Sequence, residues 1–161
     1  MLCAVAAVCA CHRDSGTPAQ PQAKPRSSVP LVAKKGPNVG ELTAGMVDAA
    51  SQGKAQVPVT LKFDLQQRPV LGQALDINIA VLPQIGASAA EIQIAGGDGL
   101  TVGPGTNQID LPDVEAGQVY RQSVKVTPTA EGVLLLNLTI LLKHDEITES
   151  RVFSIPIIVD R

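Results

Sequence analysis

From Val57 to Val159 apolar residues recur at every second position, and that period of two most constrains what the chain can fold into. Val57, Val59, Leu61, Phe63 and Leu65 alternate with Pro58, Thr60, Lys62, Asp64 and Gln66. A strand turns successive side chains to opposite faces, so the pattern describes a sheet with one buried side. Leu75, Ile77, Ile79 and Val81 repeat it after the turn at Arg68-Pro69 to Gly72. Ile92 and Ile94 form a short strand closed by Gly96-Gly97-Asp98-Gly99, and Leu100 and Val102 lead into Gly103-Pro104-Gly105. Ile109 and Leu111 follow, and Tyr120, Val124 and Val126 share one face of the next strand.

Two longer strands finish the domain. Leu134, Leu136, Leu138, Ile140 and Leu142 face one way in 133–142, and Phe153, Ile155, Ile157 and Val159 face one way in 148–159. Pro156 falls on the opposite face, which predicts an edge strand or a bulge because proline lacks the N–H that a central strand uses. Seven to eight strands with turn signals between them predict an all-β fold, an antiparallel sandwich over residues 55–161. Asp110 and Asp113 flank Pro112, which reads as a turn. Residues 41–54 read as a short helix or linker, with Leu42, Met46 and Ala50 at i+4 spacing and Gly53 as a stop.

The N-terminal residues are of a different kind. Residues 1–10 carry no charge and end in Val8-Cys9-Ala10 before Cys11, after which His12-Arg13-Asp14 turns the chain polar. All three cysteines lie in this stretch, in a spacing that fits no metal or redox framework. Ten apolar residues are too few to span a bilayer, which takes about 20 in a helix. Residues 11–40 are rich in Pro, Ala, Gln, Ser and Lys and hold no persistent period. They read as a disordered or polyproline tether, on the order of 30 Å long as a coil and up to roughly 90 Å extended.

The Val8-Cys9-Ala10-Cys11 context resembles the lipobox of bacterial lipoproteins, in which the cysteine is acylated and becomes the mature N-terminus. The resemblance implies lipidation of Cys11, a cleaved signal in residues 1–10, and membrane attachment through lipid. The basic residues that open such signals are missing, which we read as a start codon assigned too far downstream. His12 stands where an inner-membrane retention signal would place Asp, so the resemblance implies the outer membrane, facing the periplasm. The run from Val114 through Tyr120 to Thr127-Pro128, then Glu131-Gly132 before a long apolar strand, resembles immunoglobulin-like and fibronectin-III-like domains. It lacks the Cys-Trp-Cys core of antibody domains.

Composition removes several function classes. The net charge is −2, without the basic footprint of a nucleic-acid binder. Tyr120, Phe63 and Phe153 are the only aromatics, which leaves no platform for stacking bases or sugars. His144, Asp145, Glu146 and Glu149 form the one cluster with metal-ligand chemistry, but a single histidine with flexible carboxylates reads as a solvated hairpin tip. Neither His12 nor His144 has a positioned nucleophile in sequence. The Gly-rich run 96–105 lacks the Lys-Ser/Thr of a phosphate loop. The sequence therefore predicts no cofactor and no catalysis. It predicts an envelope lipoprotein whose sandwich binds a protein, with a ligand-binding or accessory module as the alternative.

Overall fold

A computed structural model describes residues 38–53 and 57–160. Cys11, the signal segment and residues 11–37 of the tether lie outside the described residues. The described chain forms one short helix, α1 (Val39–Leu42), and ten strands. These are β1 (Val47–Asp48), β2 (Ala50–Gln52), β3 (Val59–Leu65), β4 (Leu75–Pro83) and β5 (Ala87–Gly96). They continue as β6 (Leu100–Val102), β7 (Gln108–Val114), β8 (Tyr120–Pro128), β9 (Gly132–His144) and β10 (Ile147–Val159).

The strands form two antiparallel sheets of five, sheet A in the order β1-β3-β4-β8-β6 and sheet B in the order β2-β10-β9-β5-β7. The period-two residues of the sequence are the layer between them. Leu61, Ile77, Ile79 and Val124 of sheet A, with Ile92, Leu138, Ile140, Ile155 and Ile157 of sheet B, are wholly buried in one cluster. At roughly 25 cal/mol per Å² of apolar surface removed from water, this aliphatic layer holds the sheets together. Phe153 (β10) and Phe63 (β3) join it, while Tyr120 sits half-buried at its margin.

The eight strands of the sequence reading are all present, and the two further strands come from 47–52. The helix expected over residues 41–54 spans Val39–Leu42 instead, starting in the last residues of the expected tether, where Asn38 caps Gly40 N at 3.2 Å and Thr43 Oγ1 donates to Val39 O. One turn of helix is costly to nucleate; Thr43 is its C-cap, and Gly45, at φ 77, turns the chain on toward β1. The residues beyond serve better as strand. β1 pairs with Lys62 and Phe63 in sheet A, the Ala49 N–H donates to Leu61 O, and β2 pairs with Val152 to Ser154 in sheet B. One short stretch thus crosses the open side of the sandwich and covers an edge of each sheet.

Three local details shape the strand ends and their outward faces. Gly96 is obligatory where β5 turns into β6, because a Cβ there would lie 2.0 Å from Leu100 O. The Tyr120 hydroxyl accepts from Glu115 N at 2.8 Å and so ties down the connection from β7 to β8. Asp110 and Asp113, expected in a turn around Pro112, lie within β7 instead, with Asp110 opposite Glu91 of β5.

Candidate functional site: the outward surface of the second sheet

His144 closes β9 opposite Ile147, with Asp145 and Glu146 as the two-residue turn between them. Asp145 takes φ 51 there, a left-handed conformation that Asp tolerates in such turns. Its carboxylate lies 3.7 Å from His144 Nε2. Glu149 pairs across the hairpin with Leu142. Among the described residues no three His, Cys, Asp or Glu side chains converge in a way that could hold a metal ion. The tip offers an exposed charged turn and no ligand cage.

The outward face of sheet B has more chemical character. In antiparallel register Val133 faces Ile158 and Leu135 faces Pro156, so four apolar side chains form a block at one end of β9 and β10. Val133 is 66% exposed, Ile158 60% and Leu135 44%. Directly opposed side chains in a sheet sit close enough to form one continuous surface. A polar cluster borders the block. Gln52 Nε2 donates to Ser154 Oγ, and Ser154 Oγ donates to Asn137 Oδ1 at 2.7 Å.

Beyond that cluster the same face dips into a groove of about 520 Å³. Its floor follows from register: Ala89 lies between Pro112 of β7 and Lys143 of β9, and a methyl among larger neighbours leaves a depression. Leu141 and Thr148 line it on the far side. Glu91 and Asp110 stand opposite each other at the rim. Each carboxylate accepts from a glutamine two residues along its own strand, Gln93 at 2.8 Å and Gln108 at 3.3 Å. No ion pair reaches Lys143, Glu91 or Asp110 among the described residues.

Strand edges are the other surface through which a sandwich can act, and three flanks are sealed by identifiable devices. Gly97 N donates to Leu135 O, so the odd-numbered groups of β9 bond β5 and the even-numbered ones bond β10. By the alternation of antiparallel ladders, Pro156 then points its nitrogen away from β9, to the outer side of β10. The β9–β10 register runs unbroken past it, so this is the edge position the sequence allowed and not a bulge. Ile94 N donates to Asn107 O, which by the same alternation puts the Pro112 nitrogen on the outer edge of β7. A proline facing out removes a donor that a foreign strand would need. On β3 the guanidinium of Arg151 donates to Val57 O at 3.0 Å and Val59 O at 2.7 Å while stacking 5.0 Å over the Phe153 ring. That one side chain, whose Nε is buried without a partner, bridges the two sheets and blocks the start of the β3 edge.

The exposed apolar block was not among the expected site residues, although the sequence carries its signal. Val133-Leu134-Leu135-Leu136 and Ile155-Pro156-Ile157-Ile158 are runs in which the alternation fails and both strand faces become apolar. No family model matches the chain, and no curated protein matches it.

Proposed function

We propose that this chain is a lipid-anchored protein of the bacterial cell envelope whose sandwich binds a partner protein through the outward face of sheet B, without catalysis. One observation carries the binding surface: Val133, Leu135, Pro156 and Ile158 stand exposed in register on one face. Contiguous exposed apolar surface on a soluble domain marks an interaction site more often than it marks an accident. The anchor rests on the context of Cys11, and so does an outer-membrane location facing the periplasm. An immunoglobulin-like classification is supported by β4 neighbouring β8 while β5 neighbours β9 in the opposite sheet, the interleaving typical of Greek-key sandwiches. The absence of a base–nucleophile pair in the sequence supports a binding role.

A photocrosslinking residue placed at Leu135 in living cells is expected to yield a discrete adduct, whereas one at Asn78, outward on sheet A, yields none. Val133→Lys combined with Ile158→Lys removes the adduct while leaving the melting temperature unchanged. Adducts of equal yield at both positions, or at neither, would defeat the proposal. The anchor is read separately: the native chain enters the detergent phase on partitioning, and Cys11→Ala stays in the aqueous phase.

The groove at Ala89 favours a second reading, a small-molecule site with Lys143 and the Glu91–Asp110 pair as its polar contacts. Ala89→Leu fills the groove and leaves the protein adduct at Leu135 intact, so the two readings separate.

A further inference from the structure

Among the described residues the flank of β8 carries none of the sealing devices found on the other edges, and the row beside it is half empty. β6 pairs only with Val126, Thr127 and Pro128, and Gly103 N donates to Lys125 O at 2.7 Å. Toward Tyr120 the row then stops. Since Lys125 directs its carbonyl outward, the alternation of the ladder directs the N–H and C=O of Ser123 and Arg121 outward as well. No hydrogen bond reaches these four groups among the described residues. Arg121, Gln122 and Ser123 are all exposed.

Sheet B does not stop at the same place. The last strand of sheet A, β6, has three residues, whereas the last strand of sheet B, β7, has seven. Its core-facing side chains, Ile109 and Leu111, remain only half-buried. Gln122 occupies a core-facing position opposite the buried Ile79, yet it is exposed. Among the described residues sheet A therefore lacks the part of a strand that would lie beside Tyr120–Val124 and cover Ile109 and Leu111.

We infer that this vacancy is a strand-accepting site, filled by a short extended segment of a partner protein with apolar residues at alternate positions. The backbone groups of Arg121 and Ser123 specify the occupant as extended main chain, because only another strand presents donors and acceptors at that spacing. Ile109 and Leu111 specify its inward side chains as apolar. The vacancy is one strand wide. A second copy of this sandwich would bring its own β7 into the row that β7 already occupies, so a lone segment fits where a whole domain does not. The site lies on a different flank from the apolar block of sheet B, and either can fail without the other.

Amide exchange of the full chain, titrated with a synthetic peptide of alternating Val and Thr, tests the inference. Saturable slowing of the Arg121 and Ser123 amides is expected, with the Pro112 and Pro156 edges unaffected. Ser123→Pro should weaken binding on the order of tenfold, since it removes one outward donor. It leaves the pairing with β4 intact, as Pro112 and Pro156 leave theirs. Leu111→Thr, which keeps a strand-forming residue and removes part of the apolar floor, should weaken binding while every backbone group stays in place. Slow exchange at both amides in the free chain, or equal binding by wild type and both variants, overturns the inference. Protection that appears without peptide as protein concentration rises would assign the edge to a second copy and overturn it too.

Discussion

The outward faces of the two sheets are built on the same ladder geometry and end up chemically opposite. On sheet A, Thr60, Lys62 and Asp64 stand beside Asp76 and Asn78, with Arg121, Ser123 and Lys125 beyond them. Two cross-strand ion pairs sit on this face, Lys62 with Asp48 at 2.8 Å and Lys125 with Asp76 at 3.8 Å. Sheet B carries Val133, Leu135, Pro156 and Ile158 at one end and the Ala89–Leu141 groove at the other. A sheet needs only one apolar face to pack in a sandwich. The second apolar surface on sheet B is therefore not required by folding. It is the surface to which the proposed contact is assigned, whereas the face of sheet A carries ion pairs.

The edges show the same division. Sheet B, whose face is sticky, has an outward proline on each flank, so it resists open-ended strand addition while its face stays accessible. Sheet A, whose face is polar, leaves the Arg121–Ser123 part of the β8 flank uncovered among the described residues. Each sheet exposes one kind of contact surface and suppresses the other.

The largest way to break this comparison is to invert an inner position. Leu138 is 0% exposed, and Leu138→Asp would bury a carboxylate between two aliphatic layers at a cost of several kcal/mol, comparable to a domain's whole stability. Thr139→Asp, one residue along on the outward face, should be nearly silent in thermal melts. Equal destabilisation by both would mean that the strand phase of β9 is wrong. A smaller effect is expected from Arg151→Ala, which removes two charge-assisted hydrogen bonds to edge carbonyls and the stack on Phe153. It should cost about 1–3 kcal/mol in chemical denaturation. Arg151→Lys should recover only part, because an ammonium lacks the planar fork that stacks on the ring.

Outward substitutions should be milder still. Val133→Lys with Ile158→Lys is expected to change stability by no more than about 0.5 kcal/mol, as surface changes usually do. If this pair destabilised the domain strongly, the block would be part of the folded core and not a contact surface. Smallest of all is Lys62→Ala, which breaks the exposed pair with Asp48; partly solvated pairs of this kind contribute about 0–1 kcal/mol. Its loss should be difficult to detect at high salt, where screening already weakens it.

Much of this architecture was legible in the chain. The inward set from Val59 to Val159 is the buried layer, and the turns at Gly72, Gly96–Gly99 and Gly103–Gly105 separate the strands as expected. The 47–52 segment was not legible, since Leu42, Met46 and Ala50 carry a helical spacing that competes with strand formation. β5 begins five residues before Ile92, through Ala87-Ser88-Ala89-Ala90-Glu91, where small residues carry no clear period. Of the candidate site, the apolar runs at 133–136 and 155–158 were visible as broken alternation, but their alignment across two strands was not.

By itself the sequence determined which residues turn inward, because a period of two is a local property that any strand geometry converts into one buried face. It also set the scarcity of aromatics and the charged tip at His144 to Glu146. The tertiary structure decided everything that depends on which strands become neighbours. It made Ala49 the crossing point between sheets, set Val133 against Ile158, turned the Pro112 and Pro156 nitrogens outward, and left the outward backbone groups of Arg121 and Ser123 without a hydrogen bond among the described residues. Pairing joins residues far apart in the chain, so no local pattern encodes it; it is settled when the two aliphatic faces close on each other and the remaining edges are either covered or left open.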